Sequence, residues 1–264
     1  MQSGAPERGG RLYGRGYSGG GLGFGPPVTP PVIKQLVIAN LAVFFAQFAI
    51  GGVTERFAAS PIDFWRSGAL WQPFTYMWLH GGLGHIFANM FSLWMFGSQL
   101  ALVWGPQRFL RFYLLCGVGA GLLIVTVPML LLKLGADAPG VLSMVNAPTL
   151  GASGAVFGVL LAYSLTWPDR TIMFIFPPVA FRAIWLIPIL FFMEIYFGPP
   201  NVSHTGHLGG VLVGWLLLRS QGDARGLLSF EQIRWRWRRW RMRRRLRAVQ
   251  QVDPRRDDDR PFYH

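Results

Sequence analysis

The chain has 264 residues, of which 52% are hydrophobic, and it carries a formal net charge of +13. With a mean hydropathy of +0.33 it is too apolar for an ordinary soluble domain. Its single cysteine excludes an intramolecular disulfide and any metal site built from several cysteines.

The first thirty residues are rich in Gly, Pro and Arg and contain no apolar segment of the kind that a cleavable signal peptide needs. Such a composition buries too little apolar surface to fold. We therefore expect residues 1–31 to form a disordered cytoplasmic leader, with the first membrane helix acting as an uncleaved insertion signal.

Six apolar windows come next and predict an all-α, polytopic membrane protein, a bundle of six transmembrane helices over residues 32–219. The windows are Val32–Gly52, Ile86–Trp104, Leu110–Leu132, Leu150–Trp167, Ile184–Phe197 and Val202–Leu218. A spanning helix needs about 17–25 residues, and the first four windows reach that length. The fifth is short unless it begins near Ala180. The sixth barely reaches the spanning length and carries two histidines, as is typical of a helix inside a bundle or beside a water-filled cavity.

The basic residues of the connecting segments indicate the orientation, because cytoplasmic loops carry an excess of Lys and Arg. One side holds the leader, two loops and the tail, with Arg8, Arg11, Arg15, Lys34, Arg108, Arg111, Arg170 and Arg182 before the tail. The other side holds both signs of charge: Arg56, Arg66 and Lys133 against Glu55, Asp63 and Asp137. Both termini are therefore predicted to face the cytoplasm, which fits an even number of spans.

The first connecting loop, from Val53 to His85, is long and aromatic. It contains Phe64, Trp65, Trp71, Phe74, Tyr76 and Trp78 among few charges. Trp and Tyr concentrate at membrane–water interfaces, because they combine an apolar body with a polar group. We expect this loop to lie partly in the outer headgroup region.

The first candidate for chemistry is the segment GASGAVFG, residues 151–158. Gly154 and Gly158 are four residues apart and form a small face on which a second helix can pack. On that interpretation Ser153 only bonds back to a carbonyl of its own helix. The alternative makes Ser153 a nucleophile at a helix N-terminus, where unpaired backbone N–H groups stabilise an oxyanion.

The second candidate is the segment from Ser203 to Gly214. Its glycines Gly206, Gly210 and Gly214 are spaced by four and form a smooth helical stripe, with His207 beside it. If this stripe packs on the Gly154 face, two short side chains can reach the ~2.6–3.2 Å that a serine–histidine hydrogen bond requires. The alternative is a histidine with a purely structural hydrogen bond.

The third candidate is the segment HGGLGHIFAN, residues 80–89. His85 and Asn89 are four residues apart and share a helix face. Together they can donate hydrogen bonds to a developing oxyanion. The alternative is a polar pair that braces the loop against the helix.

A metal centre is the main chemical competitor, since His80, His85, His204 and His207 could converge. The chain contains no HExxH motif, and we expect no carboxylate near these histidines, with Glu194 the one acid inside a predicted span. Zinc hydrolases usually have a carboxylate at the site. We therefore expect no metal and no cofactor. An aspartyl intramembrane protease is excluded because no paired Asp lies in the spans, and we find no inverted repeat typical of transporters.

The tail, residues 220–264, is strongly basic. From Arg219 onward fourteen Arg stand against six acidic residues, and Glu231–Arg247 reads EQIRWRWRRWRMRRRLR. This composition is typical of an interfacial helix with Trp among the headgroups and Arg on lipid phosphate. Nucleic-acid binding uses the same residue types. The adjacent membrane favours anionic lipid as the partner, and we expect no nucleic acid.

Taken together, the three motifs resemble the rhomboid family of intramembrane serine proteases. The resemblance rests on GASG around Ser153, on HxxxxHxxxN from His80 to Asn89, and on HLGGVLVG from His207, in that order. It covers about residues 32–218 and implies a six-span bundle; the leader and tail lie outside it.

The resemblance also implies roles for residues. In this family a serine and a histidine form a dyad without an acid, which assigns Ser153 as nucleophile and His207 as general base. His85 and Asn89, with the Ser153 backbone N–H, would form the oxyanion hole. His80, Gly151 and Gly154 would support the site, and His204 would be structural.

One departure concerns the first loop, where family members often carry Trp-Arg and this chain has Trp71-Gln72. The exchange predicts a looser anchoring of the loop and leaves the dyad intact.

The implied activity is hydrolysis of peptide bonds in or near transmembrane segments of single-span or multi-span membrane proteins. The alternative is a non-catalytic rhomboid-like protein that binds transmembrane client helices. The six-span plan and the Arg-rich, Lys-poor composition predict an integral protein of a bacterial inner membrane.

Overall fold

The computed structural model describes residues 25–136, 138–174, 178–198 and 202–220, and these are mostly helical. The helices are α1 Pro31–Ala49, α2 Val53–Phe57, α3 Pro61–Arg66, α4 Gln72–Thr75, α5 Leu83–Ser92, α6 Ser98–Trp104, α7 Pro106–Lys133, α8 Pro139–Asn146, α9 Ser153–Thr166, α10 Leu186–Phe197 and α11 His204–Ser220. The all-α prediction is confirmed. Residues 1–24 of the predicted leader and the tail from residue 221, with its predicted lipid contacts, lie outside the described residues.

Shorter elements connect these helices. Single 3₁₀ turns occupy Tyr76–Trp78 and Ala183–Trp185, and a π-helical turn at Leu93–Gly97 joins α5 to α6. Strands β1, Thr171–Met173, and β2, Ala180–Arg182, pair antiparallel between α9 and α10. This small sheet and α8 were not predicted from the sequence.

Every predicted apolar window contains a helix, but the helices differ in length. Three stretches are long and apolar enough to cross a membrane: α1, the α5–α6 stretch Leu83–Trp104, and α7. The stretches Ser153–Thr166 and Ala183–Phe197 are apolar and shorter. The chain is therefore a polytopic helical membrane protein, and the count of six spans stays a prediction.

The fourth window does not reach spanning length, contrary to the sequence analysis. Its helix α9 has 14 residues, which at 1.5 Å per residue is about 21 Å against a hydrocarbon core of about 30 Å. The helix cannot extend toward the N-terminus because Gly151 has a φ of +126°, in the left-handed region. The N-terminal end of the fourth window therefore forms a turn, and Ser153 is the first helical residue.

Helices α7, α9 and α11 pack closely on one another and form the centre of the bundle. A Cβ placed on Gly210 of α11 would lie only 1.8 Å from the carbonyl oxygen of Gly154. A Cβ on Gly214 would lie 3.2 Å from the Cα of Gly158. Two glycine stripes thus let α9 and α11 cross backbone against backbone. Cys116 of α7 is buried and fills the space beside Gly158, as an apolar side chain would.

The first loop folds into α2, α3 and α4 and is held by side-chain hydrogen bonds. Gln72 is 1% exposed, and its Oε1 accepts a 3.0 Å hydrogen bond from the Ser60 N–H. The indole of Trp71 donates to the carbonyl of Arg56 at 3.0 Å. Gln72 therefore ties two parts of the loop together, so the departure from Trp-Arg leaves this position buried and bonded.

Candidate active site

Ser153 lies at the start of α9, and the segment before it is pinned from two sides. The Gly151 N–H donates to the carbonyl of Tyr76 at 2.9 Å, and Ala59 and Thr149 exchange two backbone hydrogen bonds of 2.8 Å. The first N–H groups of a helix have no partner within the helix. Backbone N–H donors without a partner in the helix therefore lie beside the Ser153 hydroxyl, and the first loop holds this turn in place.

His207 is brought to the same place by the glycine crossing. The carbonyl oxygen of Gly206 lies 3.3 Å from the Cβ position of Gly154, next to Ser153. The imidazole of His207 stacks on the ring of Phe157, with centroids 4.2 Å apart and planes 13° from parallel. Phe157 follows Ser153 by four residues and so shares its face of α9. His207 is thus oriented over the turn of α9 that begins with Ser153.

The two residues lie on the packed helices α9 and α11 without a hydrogen bond between their side chains. Within the described part of the chain, the Ser153 hydroxyl forms no hydrogen bond with His207. Hydrogen bonds of catalytic groups are often long in structures without substrate and tighten when it binds. The structure therefore supplies the placement of a serine–histidine pair and leaves its final approach to substrate binding.

A carboxylate lies against His207, contrary to the expectation that no acid would be near the histidines. Oε2 of Glu194 is 2.6 Å from Nδ1 of His207, and Oε1 is 2.5 Å from Nδ1 of His204. The Glu194 side chain is 8% exposed. Sequence reasoning noted Glu194 as the acid inside a span but had no basis for placing it, because α10 and α11 meet only in the folded bundle. Phe157 was missed for the same reason.

These contacts leave no room for a metal ion between the carboxylate and the two histidines. Ligand atoms around zinc stand about 2.0–2.2 Å from the ion and are therefore about 3 Å or more from each other, whereas here nitrogen and oxygen are at direct hydrogen-bond distance. Among the described residues, no group of three or more His, Cys, Asp or Glu is arranged to hold a metal. His85 lies beside Gly151, and His80 packs against His85.

His85 points a protonated nitrogen at the serine turn. Its Nδ1 accepts a 3.4 Å hydrogen bond from the Gly81 N–H, which assigns the ring proton to Nε2. The Cβ position of Gly151 lies 2.7 Å from this Nε2 and 3.8 Å from the Ser153 Oγ. The imidazole therefore donates into the space beside the nucleophile.

Asn89 lies one turn further along α5 and is 5% exposed. Its Nδ2 donates to the carbonyl of His85 at 3.0 Å. One of its two N–H groups is thus engaged within α5, and the structure brings Asn89 less directly to the serine than His85.

His80 is a buried neighbour of His85. It is 2% exposed, and the two rings meet edge to face with centroids 5.2 Å apart. Its backbone N–H donates to Gln47 Oε1 at 2.9 Å, which fixes the loop on α1. Burial, and then the nearby His85, lowers the pKa of His80 to about 4, so this ring is neutral at physiological pH. His80 is therefore a buried, neutral ring that packs against His85.

Replacing Gly151 with alanine is expected to lower activity by about 10²-fold while the chain stays folded. A misplacement of about 1 Å in a catalytic group has an effect of this size. The new methyl group would meet the His85 imidazole at 2.7 Å, and alanine rarely adopts a φ of +126°. Cleavage rate and apparent Tm would be measured together. Gly140→Ala is the control, because its Cβ position has open space; full activity of Gly151→Ala would contradict the assignment.

Comparison with known proteins points in one direction. The model of the Rhomboid domain matches residues 67–220. RHOMBOID-like protein 12, mitochondrial, of Arabidopsis thaliana is 32% identical over 200 residues, which is 71% of this chain and 58% of that protein. Rhomboid protease GluP of Bacillus subtilis is 28% identical over 201 residues, 73% of this chain and 35% of that protein. Presenilin-associated rhomboid-like protein, mitochondrial, of Bos taurus is 32% identical over 139 residues, 51% of this chain and 34% of that protein.

The matched region thus spans about a third to just under three fifths of these relatives' own lengths. The family match begins after α1, whereas the sequence analysis starts the membrane domain at residue 32, so that domain division stays a prediction. The match contains α5, α9, α10 and α11, and it also covers His80 and Gly151, which lie outside these helices. The chain belongs to the rhomboid family.

Proposed function

We propose that this protein is an intramembrane serine endopeptidase that hydrolyses peptide bonds in or near transmembrane segments of membrane proteins. The observation that carries the proposal is the placement of His207 over the first turn of α9, where Ser153 lies among unpaired N–H groups. The glycine crossing and the stack on Phe157 produce this placement. The Bacillus subtilis relative, Rhomboid protease GluP, is named as a protease, which supports the same activity.

In the first half of the reaction Ser153 Oγ attacks the carbonyl carbon of the scissile bond. The Oγ proton passes to Nε2 of His207, and the carbonyl π electrons move to oxygen to give an oxyanion. When the intermediate collapses, the C–N bond breaks and the His207 proton goes to the leaving nitrogen. The products are an amine and an ester between the substrate acyl group and Ser153.

In the second half water attacks this ester and gives a proton to His207. Collapse of the second intermediate breaks the C–O bond to Ser153 and returns the proton to Oγ, which leaves a free carboxyl terminus. Because lipid excludes water, the site has to open to the aqueous side through a polar cavity. The His207 side chain retains 12% exposure.

The oxyanion would be held by donors that do not need to reorganise. The Ser153 N–H lies at the helix start, and Nε2–H of His85 points to the same turn. Loss of one such donor typically lowers the rate by 10²–10³. Asn89 would join with the N–H group that the His85 carbonyl does not use.

A second candidate function is non-catalytic binding of transmembrane client helices. One observation favours it: within the described residues Ser153 and His207 are not hydrogen-bonded to each other. The proposed substrates and clients belong to one class, membrane proteins with one or more spans.

The protein is an integral membrane protein, and we propose the bacterial cytoplasmic membrane with both termini cytoplasmic. The distribution of Lys and Arg between the loops supports this orientation. The relatives include one bacterial protein and several mitochondrial ones.

The test uses the purified full chain in proteoliposomes with a single-span substrate, with and without a chelator, followed by labelling with a fluorophosphonate. We expect a cleaved fragment, no effect of the chelator, and a label that mass spectrometry assigns to Ser153. Chelator-sensitive cleavage would establish the metal alternative. The absence of both cleavage and labelling, across several substrates, would establish the non-catalytic function.

A further inference from the structure

Glu194 is a carboxylate in a helix that otherwise consists of apolar residues and one proline. Helix α10 reads LIPILFFMEIYF, and Phe192, Ile195 and Phe197 around the glutamate are more than half exposed on its outer surface. A charged group in such a helix is costly unless hydrogen bonds compensate it. Both carboxylate oxygens of Glu194 are engaged by histidine nitrogens of α11, which is the compensation that this position requires.

The orientation of Glu194 is set by ring packing between three helices. Phe191 of α10 packs on Phe157 of α9 at 5.4 Å, and Phe157 stacks on His207 of α11 at 4.2 Å. Glu194 follows Phe191 by three residues and therefore lies on the same side of α10. Its carboxylate thus reaches the edge of the imidazole whose face lies against Phe157.

We propose that Glu194 is a positioning residue that converts the expected Ser153–His207 dyad into a Ser153–His207–Glu194 triad. This inference rests on the proposed function. A carboxylate accepts hydrogen bonds, so Nδ1 of His207 has to carry the ring proton. The lone pair is then on Nε2, the nitrogen that has to take the proton from Ser153 Oγ.

The carboxylate has a second effect once that proton has moved. His207 then carries protons on both nitrogens and a positive charge, which the adjacent carboxylate stabilises at 2.6 Å. Glu194 stays ionised throughout and takes no proton. His204 engages the other carboxylate oxygen and so links α11 to α10.

The charged and titratable surroundings of His207 are limited. Glu194 faces it from α10, His204 lies one turn earlier on α11, and His85 of α5 lies beside Gly151 at the start of α9. Helix α7 has no titratable residue between Cys116 and Lys133. The titratable residue of α9 is Tyr163, which lies far from Ser153 along the helix. Glu194 is therefore the negative charge that acts on the imidazolium.

The inference predicts the pH dependence of cleavage. Glu194→Gln keeps the size of the side chain and removes its charge. Without that charge the imidazolium is less stable, so neutral His207 persists to lower pH, and the acidic limb of the rate profile moves to lower pH. The wrong tautomer becomes accessible as well, and kcat is expected to fall by about 10²-fold or more with a smaller change in KM. Glu194→Asp keeps the charge on a shorter side chain and is expected to restore part of kcat.

A matched variant separates the positioning of His207 by Glu194 from a contact that only stabilises the fold. His204→Asn removes one bond between α10 and α11 and leaves the carboxylate on His207. We expect a similar loss of apparent Tm for His204→Asn and Glu194→Gln, with an acidic limb that moves only for Glu194→Gln. The inference would be overturned if the acidic limb of the rate profile stayed in place in Glu194→Gln. It would also be overturned if both variants lost kcat in proportion to their loss of apparent Tm.

A measurement on the parent chain keeps the inference testable even if Glu194→Gln does not fold. In protein with ¹⁵N-labelled histidine, the His207 signals are expected to show a protonated Nδ1 and an unprotonated Nε2 at neutral pH, with the assignment taken from His207→Gln. The opposite tautomer would refute the triad. These results are independent of the proposed function, which fails instead if the parent does not cleave or label at Ser153.

Discussion

Replacing Ser153 with alanine is expected to lower cleavage by at least about 10³-fold and to leave the fold intact. The substitution removes the nucleophile, and the remaining rate comes from binding and the oxyanion donors alone. Because Ser153 is partly exposed and bonds to no residue that holds the bundle, apparent Tm should change little. A fragment assay by gel and mass spectrometry, with Tm measured in the same detergent, checks both statements.

The same helix offers a control. Ser164 is 1% exposed and donates to the carbonyl of Leu160 at 2.8 Å, far from the first turn of α9. Ser164→Ala should keep cleavage within a few-fold of the parent. Cleavage that survives Ser153→Ala at the parental rate would refute the assignment of the nucleophile.

His207→Ala is expected to produce a loss of similar size, because the serine is a weak nucleophile without its base. Residues that act as one unit give non-additive effects. The double variant should therefore be about as slow as either single variant. Additive losses would show that Ser153 and His207 act independently.

Replacing Gly210 with alanine is expected to destabilise the protein strongly and to remove activity with it. The new Cβ would lie 1.8 Å from the Gly154 carbonyl oxygen, and that atom belongs to the backbone and cannot rotate away. Overpacking of this kind costs roughly 3 kcal/mol. For a chain of this size that corresponds to a fall in apparent Tm of about 6–12 °C.

The glycines of the chain provide a graded series for this prediction. At Gly214 the nearest backbone atom lies 3.2 Å from the Cβ position, and at Gly140 of α8 the space is open. The loss of apparent Tm should follow the order Gly210, Gly214, Gly140, and alanine at Gly140 should be neutral or slightly stabilising through its helix propensity. Equal effects at Gly210 and Gly140 would show that α9 and α11 do not cross at their glycines.

Local sequence patterns predicted most residues of the candidate site. Ser153, His207 and His85 are recognisable because polar groups are rare in apolar segments, and the spacing of glycines by four indicates which helix faces can meet. The structure brings these faces together, with Gly154 against Gly210 and Gly158 against Gly214. Hydropathy was a poorer guide to helix length, because it does not register the positive φ of Gly151. The helix of the apolar window Leu150–Trp167 therefore begins three residues late, at Ser153.

By itself the sequence determined that the chain is helical, enters the membrane and carries a rhomboid pattern of serine, histidine and glycine, since these follow from composition and short-range spacing. Only the tertiary structure decided what surrounds those residues. Glu194 and His207 are thirteen residues apart, on different helices, and no periodicity relates them. Their contact arises because the ring of Phe191 packs on Phe157 and the ring of Phe157 packs on His207, across three helices. Such packing depends on the shapes of side chains in the folded bundle.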